Sequence, residues 1–196
     1  SMQYIKIIRY GFKIERSEQN ADNRVSYTHD ASLMTPASVN LSTGVFNAGD
    51  WGDFINEVHR PVMLKSDGTV DYELDVNDNT KKLDGTASDV SNTAYDGNAM
   101  VEFRKYKWVK RHYESGFDYV TFSNYKYDDD YKAYAFENEN GTINDTFYYG
   151  MYKGTYVGTK LRSIGTGAVM VSQTRQTEID RAVANGSGYY TIYNSA

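Results

Sequence analysis

Apolar and polar positions alternate with two different periods along this chain, and the switches between them mark its elements. "MQYIKIIRYGFKIE" at 2–15 alternates loosely and is rich in Ile, Tyr and Phe, which predicts an N-terminal strand or arm within residues 1–30. The polar "RSEQNADNR" that follows reads as a loop. In "GDWGDFINEVHRP" the residues Trp51, Phe54, Ile55 and Val58 fall at i, i+3, i+4 and i+7, the spacing of an amphipathic helix. Asp50 is placed to cap its first turn and Pro61 to stop its last.

"PVMLKSDGTVDYELD" reads as strand, turn, strand, because Asp67-Gly68 can supply the positive dihedrals a tight hairpin demands. The run from Asn77 to Asn98 is poor in apolar residues and predicts an ordered surface loop with one short helical turn near "SDVSN". Between Met100 and Asn124, "MVEFRKYKWVKR" and "FDYVTFSN" flank "HYESG" and predict a long hairpin. Apolar positions 101 and 103 give way to 106 and 108, a parity shift that implies a bulge around Arg104-Lys105. "YKAYAFENENGTINDTFYYGMY" repeats the design around Asn140-Gly141. "SQTRQTEIDRAVANGSGYYTIYN" predicts a helix from about Thr174 to Ala184 with Ile179, Ala182 and Val183 on one face. Asn185-Gly186 ends it in a left-handed cap, and a strand follows. The class is α+β, with antiparallel strands and hairpins, two short helices and long ordered loops. Two prolines and no long Gly/Ser run leave no linker, so residues 1–196 are expected to form a single domain, an arm followed by a body over 31–196.

Composition changes this picture in three ways. A mean hydropathy of -0.66 leans toward disorder, yet 15% aromatic residues are far more than a solvated tail carries, so the chain is expected to fold. A net charge of -5 repels a phosphate backbone, and the basic run "FRKYKWVKRHY" alternates as a solvated strand face would, so no nucleic-acid partner is expected. The absence of cysteine excludes disulfides, zinc–thiolate sites, Fe–S clusters and thiol nucleophiles. No apolar run reaches the roughly 18 residues of a membrane span, so no membrane insertion is expected. The opening Ser1-Met2 reads as an expression scar, and the Lys- and Arg-broken segment after it does not read as a signal peptide.

Candidate chemistry is sparse. Asp67, Asp71, Glu73, Asp75 and Asp78 offer hard oxygen ligands in a turn-rich segment, but their spacing is not that of an EF-hand and they read as solvated loop acids. In "YDDDY" at 127–131 successive acids alternate direction. His29, His59 and His112 lie in no hydrolase signature, and no G-x-S-x-G elbow exists. A carboxylate pair for glycoside hydrolysis needs only the right separation in space, which 26 acidic residues leave open. "GSG" at 186–188 follows a helix, so the dipole there is wrong for an anion. No catalytic residue, metal or cofactor is assigned.

Tyrosine stands out. Nineteen Tyr against eight Phe inverts the preference of a simple core, because each buried phenol must find a partner for its hydroxyl. Antiparallel sheets favour Tyr, and cross-strand ring pairs account for many single positions. As a set, surrounded by Ser, Gly and Asn, the rings suit an adaptable binding surface, since Tyr offers large contact area at low rotamer entropy.

The blocks "RPVMLKSDGTVDYELDVNDNTKKLDGTASDV", "GNAMVEFRKYKWVKR", "YKAYAF", "YYGMYKGTYVGTKLRSI" and "SQTRQTEIDRAVANGSGYY" resemble tail-associated proteins of bacteriophages and prophages of gut bacteria. Gly150, Tyr152, Gly154, Lys160, Leu161, Arg162 and Ser163 match one block of that family, and Thr174, Arg175, Ala184, Gly186 and Gly188 approximate another. The likeness runs from about residue 30 to 194. It implies a C-type-lectin-like fold, similar also to that of formylglycine-generating enzymes, whose long loops present a ligand surface. The cysteines those enzymes need are missing, so no enzymatic activity is expected. The family continues past "GYYTIYN" with a Trp-containing segment and another helix, so the resemblance implies a body truncated at its C-terminus. The function implied is a virion module, a tail fibre or tail tip, that binds a bacterial surface receptor, a glycan before a protein. Tyr148, Tyr149, Tyr152, Tyr156, Tyr189, Tyr190 and Tyr193 are the candidate ligand-binding residues, in aromatic-dense, glycine-flanked segments. The alternatives are a structural tail or baseplate subunit assembling with copies of itself, as a trimer for instance, and a capsule depolymerase.

Overall fold

The computed structural model describes residues 6–191. In chain order the elements are β1 (Arg9–Glu15), α1 (Ala21–Arg24), β2 (Val25–His29), β3 (Ser38–Asn40), β4 (Val45–Asn47), α2 (Trp51–Val58), β5 (His59–Lys65), β6 (Val70–Glu73), β7 (Gly97–Arg104), β8 (Trp108–Glu114), β9 (Phe117–Ser123), β10 (Thr146–Gly150), β11 (Thr155–Val157), β12 (Lys160–Arg162) and α3 (Arg175–Val183). Single 3-10 turns occur at Asp30–Leu33 and Tyr134–Phe136. The fold is α+β with antiparallel strands, and the chain divides into two compact units, each built from two separate stretches.

The first unit comprises residues 1–58 and 104–147. Its sheet runs β2-β1-β9-β8, so the N-terminal strand is an interior one, in register with β9 from Arg9↔Ser123 to Glu15↔Phe117. Ser115 and Gly116, at φ 50° and 91°, make the two-residue turn between β8 and β9, whose twist matches that of the flanking strands. The rings of Tyr10, Trp51, Phe54 and Tyr106 pack together at centroid separations of 5.0–6.0 Å. The basic run is matched by acids: Lys105 pairs with Glu57, Lys107 with Asp145, and Lys110 with both Asp128 and Asp130. The acids at 128–130 do not run extended: they form a turn closed by the Tyr131 N–H on the Asp128 carbonyl at 3.3 Å, and Asp129 pairs with Lys126. The hairpin β3–β4 is exposed throughout, with Val39, Leu41, Val45 and Phe46 between 52% and 91% accessible.

The second unit comprises residues 59–103 and 148–196. Its sheet runs β10-β7-β5-β6, and the buried positions of β5 and β7 form two apolar clusters. Met63, Leu74, Val90 and Ala99 make one, closed by Tyr72, Tyr95, Met151 and Tyr152. Val62, Leu64 and Met100 make the other, closed by Val70, Tyr148 and Tyr189. Each fully buried Val, Leu or Met side chain contributes about 1.5–3 kcal/mol. Across the sheet, Arg60 makes a two-pronged contact with the buried Glu102, at 2.7 and 3.2 Å, and reaches Glu73 at 3.1 Å.

Several expectations hold and several change. The turn at Asp67-Gly68 is present, with Gly68 at φ 84° and Thr69 N–H donating to Asp67 Oδ1. Helix α3 begins where the pattern placed it, with Thr174 Oγ1 accepting the Thr177 N–H. Helix α2 is present too, but Asp50 accepts the Thr35 N–H at 2.6 Å instead of capping it, and Pro61 lies inside β5. The parity shift at Arg104-Lys105 is not a bulge: β7 and β8 belong to different sheets, and Lys105 at φ 69° turns the chain between them. Asn140-Gly141 is a turn closed by Asn138 N–H to Thr142 O, yet the segments around it meet in one bridge, Glu137↔Ile143, and β10 joins β7 instead. "SDVSN" forms a hydrogen-bonded turn, not a helix, and it buries Val90 because that side chain completes the first cluster. After α3 no strand forms up to residue 191.

Candidate functional site

Five of the seven candidate tyrosines line one cleft of the second unit. Tyr148, Tyr149, Tyr152, Tyr189 and Tyr190 surround a space of about 440 Å³ whose floor includes Asn98, Met100, Arg162, Ser163 and Asn185. Tyr156 lines a neighbouring depression of about 690 Å³, where the Arg181 guanidinium lies 3.6 Å above its ring and covers one face. Tyr193 falls outside the described residues.

The five rings do different work. Tyr148 and Tyr189 pack on the Val62–Leu64–Met100 cluster, and their hydroxyls are engaged: Tyr148 donates to Glu102 Oε2 at 3.0 Å, Tyr189 to the Lys65 carbonyl at 2.9 Å. Burial raises the Tyr189 pKa, in keeping with a phenol held neutral against carbonyls. Tyr152 packs on the Met63 cluster. Tyr149 and Tyr190 are 50% and 65% exposed and hold the open wall of the cleft. The cleft is therefore bounded by rings that belong half to the core and half to solvent.

A buried polar lattice sets the floor. Asn98, Arg162, Ser163 and Asn185 are each less than 9% accessible. Asn98 Oδ1 accepts from Arg162 Nε at 3.2 Å and from the Ser163 backbone N–H at 2.8 Å, while its amide donates to Asn185 Oδ1 at 3.1 Å. Asn185 Nδ2 donates to the Leu161 carbonyl at 2.6 Å, locking the end of α3 to β12. Ser163 Oγ donates to Ala99 O at 2.6 Å and accepts the Tyr152 N–H at 2.9 Å, which fixes Tyr152 to β7. Arg162 Nη2 donates to the carbonyls of Tyr95 and Gly97. Gly154 lets this packing close: a Cβ there would stand 2.5 Å from Cδ1 of Leu161.

Arg162 is the unusual member, a guanidinium 4% accessible whose hydrogen bonds among the described residues all go to neutral oxygens. Burying a cation without a carboxylate costs several kcal/mol. Desolvation pushes its pKa down, and the Asp96 carboxylate, acting at a distance, pulls it only part of the way back. Lys153, exposed, lines the same cleft, and no Asp or Glu does. The acids of the 67–78 segment are occupied locally: Asp67 with Thr69, Asp71 with Lys65, Glu73 with Arg60, Asp78 with Thr80 and Lys81. Among the described residues no three His, Asp or Glu side chains group as metal ligands, and no helix is long and apolar enough to cross a membrane. His29 and His112 lie on strands of the first unit and His59 on a strand of the second, each with its own neighbours: Thr28, Tyr119 and Phe103.

The tyrosines were legible because ring density and flanking glycine are local signals. The lattice was not. Asn98 stood at the end of a polar run, and only its place before the apolar "AMV" hinted at a buried amide on a strand. Set beside known proteins, the chain matches no family model, no curated protein and no solved structure.

Proposed function

We propose that the second unit is a non-catalytic glycan-binding module of a phage tail-associated protein, carried on the virion and directed at a bacterial surface. The observation that supports this best is the cleft itself: two exposed rings, Tyr149 and Tyr190, stand over a floor held rigid by the bonds among Asn98, Ser163 and Asn185. Aromatic faces stack on the C–H faces of sugars. The resemblance of the 145–164 and 172–190 blocks to tail-associated proteins, with the C-type-lectin-like scaffold that it implies, points the same way. A depolymerase would need two carboxylates flanking a glycosidic bond, and the lining of this cleft contains none. The test is a glycan array with the purified chain: retained surface oligosaccharides of gut bacteria, lost in Tyr149→Ala/Tyr190→Ala, support the reading, and release of reducing ends from those glycans overturns it in favour of the depolymerase.

One observation favours a second reading, a tail or baseplate subunit that assembles with copies of itself. The hairpin β3–β4 exposes Val39, Leu41, Val45 and Phe46 together, more apolar surface than a solvated hairpin needs. Sedimentation that shows a stable oligomer, dissociated by Leu41→Ser/Phe46→Ser, would favour it.

A further inference from the structure

We infer that the ligand of the tyrosine cleft is an acidic glycan, one whose sugar carboxylate is held by Arg162 with Lys153 at the rim. The inference rests on reading the cleft as a glycan site, and adds to it the charge of the ligand.

Three observations carry it. First, Arg162 is buried and lines the cleft, yet its hydrogen bonds to the described residues use Nε and Nη2. Among the described residues no acceptor meets Nη1. Within the described residues, then, the two N–H donors of Nη1 are the ones a ligand in the cleft would meet. Second, the guanidinium is held rigid by Asn98, Tyr95 and Gly97, so it meets a planar carboxylate without further loss of side-chain freedom. Third, the charges of the cleft are one-sided. Arg162 and Lys153 line it and no acid does, on a chain whose net charge is -5. Three other cations of this unit meet carboxylates directly: Arg60 meets Glu102, Lys65 meets Asp71 and Lys160 meets Asp96. A buried cation left with neutral oxygens, beside an exposed one, is a site completed by an anion. The rings at its wall select a flat-faced anion such as an acidic sugar over a bare ion.

The experiment is calorimetric titration of the full chain with oligosaccharides of a uronic acid and of a sialic acid, with the same oligosaccharides reduced at the carboxyl to the alcohol, and with short peptides bearing a free C-terminal carboxylate. Expected is binding of the acidic sugars at least about tenfold tighter than of their carboxyl-reduced forms, weakened by salt, and reduced by Lys153→Gln. Because Arg162 also holds the floor together, Arg162→Ala is replaced by Arg162→Lys, checked by circular dichroism, with a loss of preference for the acid over the alcohol as its signature. Equal binding of acid and alcohol, abolished by Tyr190→Ala, would overturn the acidic ligand and leave the glycan reading standing. Binding of the peptides with no sugar bound would overturn both, as would no binding of any oligosaccharide.

Discussion

The side-chain amide of Asn98 donates to Oδ1 of Asn185 across 3.1 Å, joining β7 to the C-terminal end of α3, 87 residues later. Both side chains are buried, so neither can turn to water when its partner is removed. Asn185→Ala leaves the Leu161 carbonyl and the Asn98 amide without their bonds, and orphaned buried groups cost about 1–3 kcal/mol each. The expected outcome is a lowered urea midpoint by circular dichroism with an unchanged m value.

Glu102 is 3% accessible and its carboxylate meets Arg60 with two hydrogen bonds. Arg60→Ala takes the guanidinium from a buried carboxylate and is expected to destabilise by about 3–5 kcal/mol. Replacing both, Arg60→Met with Glu102→Leu, costs much less than the single change, and thermal melts of the three variants measure the difference.

Stability is expected to fall at both ends of the pH scale for different reasons. Asp71, Asp89 and Asp96 sit below the ordinary carboxylate range, held chiefly by Lys65, by Asn92 and by Ser66 respectively. A depressed carboxylate stabilises above its unfolded value of about 4, and the contribution is lost as pH falls through the folded value. Tyr72 is pushed up to about 12, first by burial. Its neutral phenol stabilises below about pH 10 and that share is lost as pH rises toward the folded value. Urea midpoints measured across pH should show a plateau between these limbs, and Asp89→Asn should flatten the acid one.

The cleft tyrosines are expected to separate by role. Tyr149→Ala and Tyr190→Ala, at exposed positions, stay within about 0.5 kcal/mol of the parent. They weaken oligosaccharide binding tenfold or more, about 1.4 kcal/mol. Tyr189→Phe keeps the ring but loses the bond to the Lys65 carbonyl, costing about 1 kcal/mol of stability with binding retained. Denaturant titration and calorimetry on the same three proteins check this.

Local signals carried the sequence reading as far as local signals reach. Thr174 with the 3.6-residue period announced α3, and Asp67-Gly68 and Asn140-Gly141 announced their turns, because caps and positive dihedrals are decided within a few residues. The break at Arg104-Lys105 was visible as a change of parity, but a parity change looks the same whether a strand bulges or passes to another sheet. Only the distant partners, Pro61 opposite Val101 and Lys110 opposite Thr121, decide between them. The same limit applied to the cleft: its rings were readable, while Arg162 depended on Asn98 and on carbonyls more than sixty residues away.

The chain passes between its two units at 58–59, 103–104 and 147–148, so neither is finished when its first half leaves the ribosome. Met63, Leu74, Val90 and Ala99 are synthesised early, yet Met151 and Tyr152, which close over them, come some fifty residues after Ala99. Asn185 arrives later still. At about 5–20 residues per second, residues 59–103 wait on the order of 5–15 s before α3 and its Asn185 can reach them. During that interval the Met63–Ala99 cluster lacks the side chains that close it, and neither unit can be excised as one continuous piece of gene.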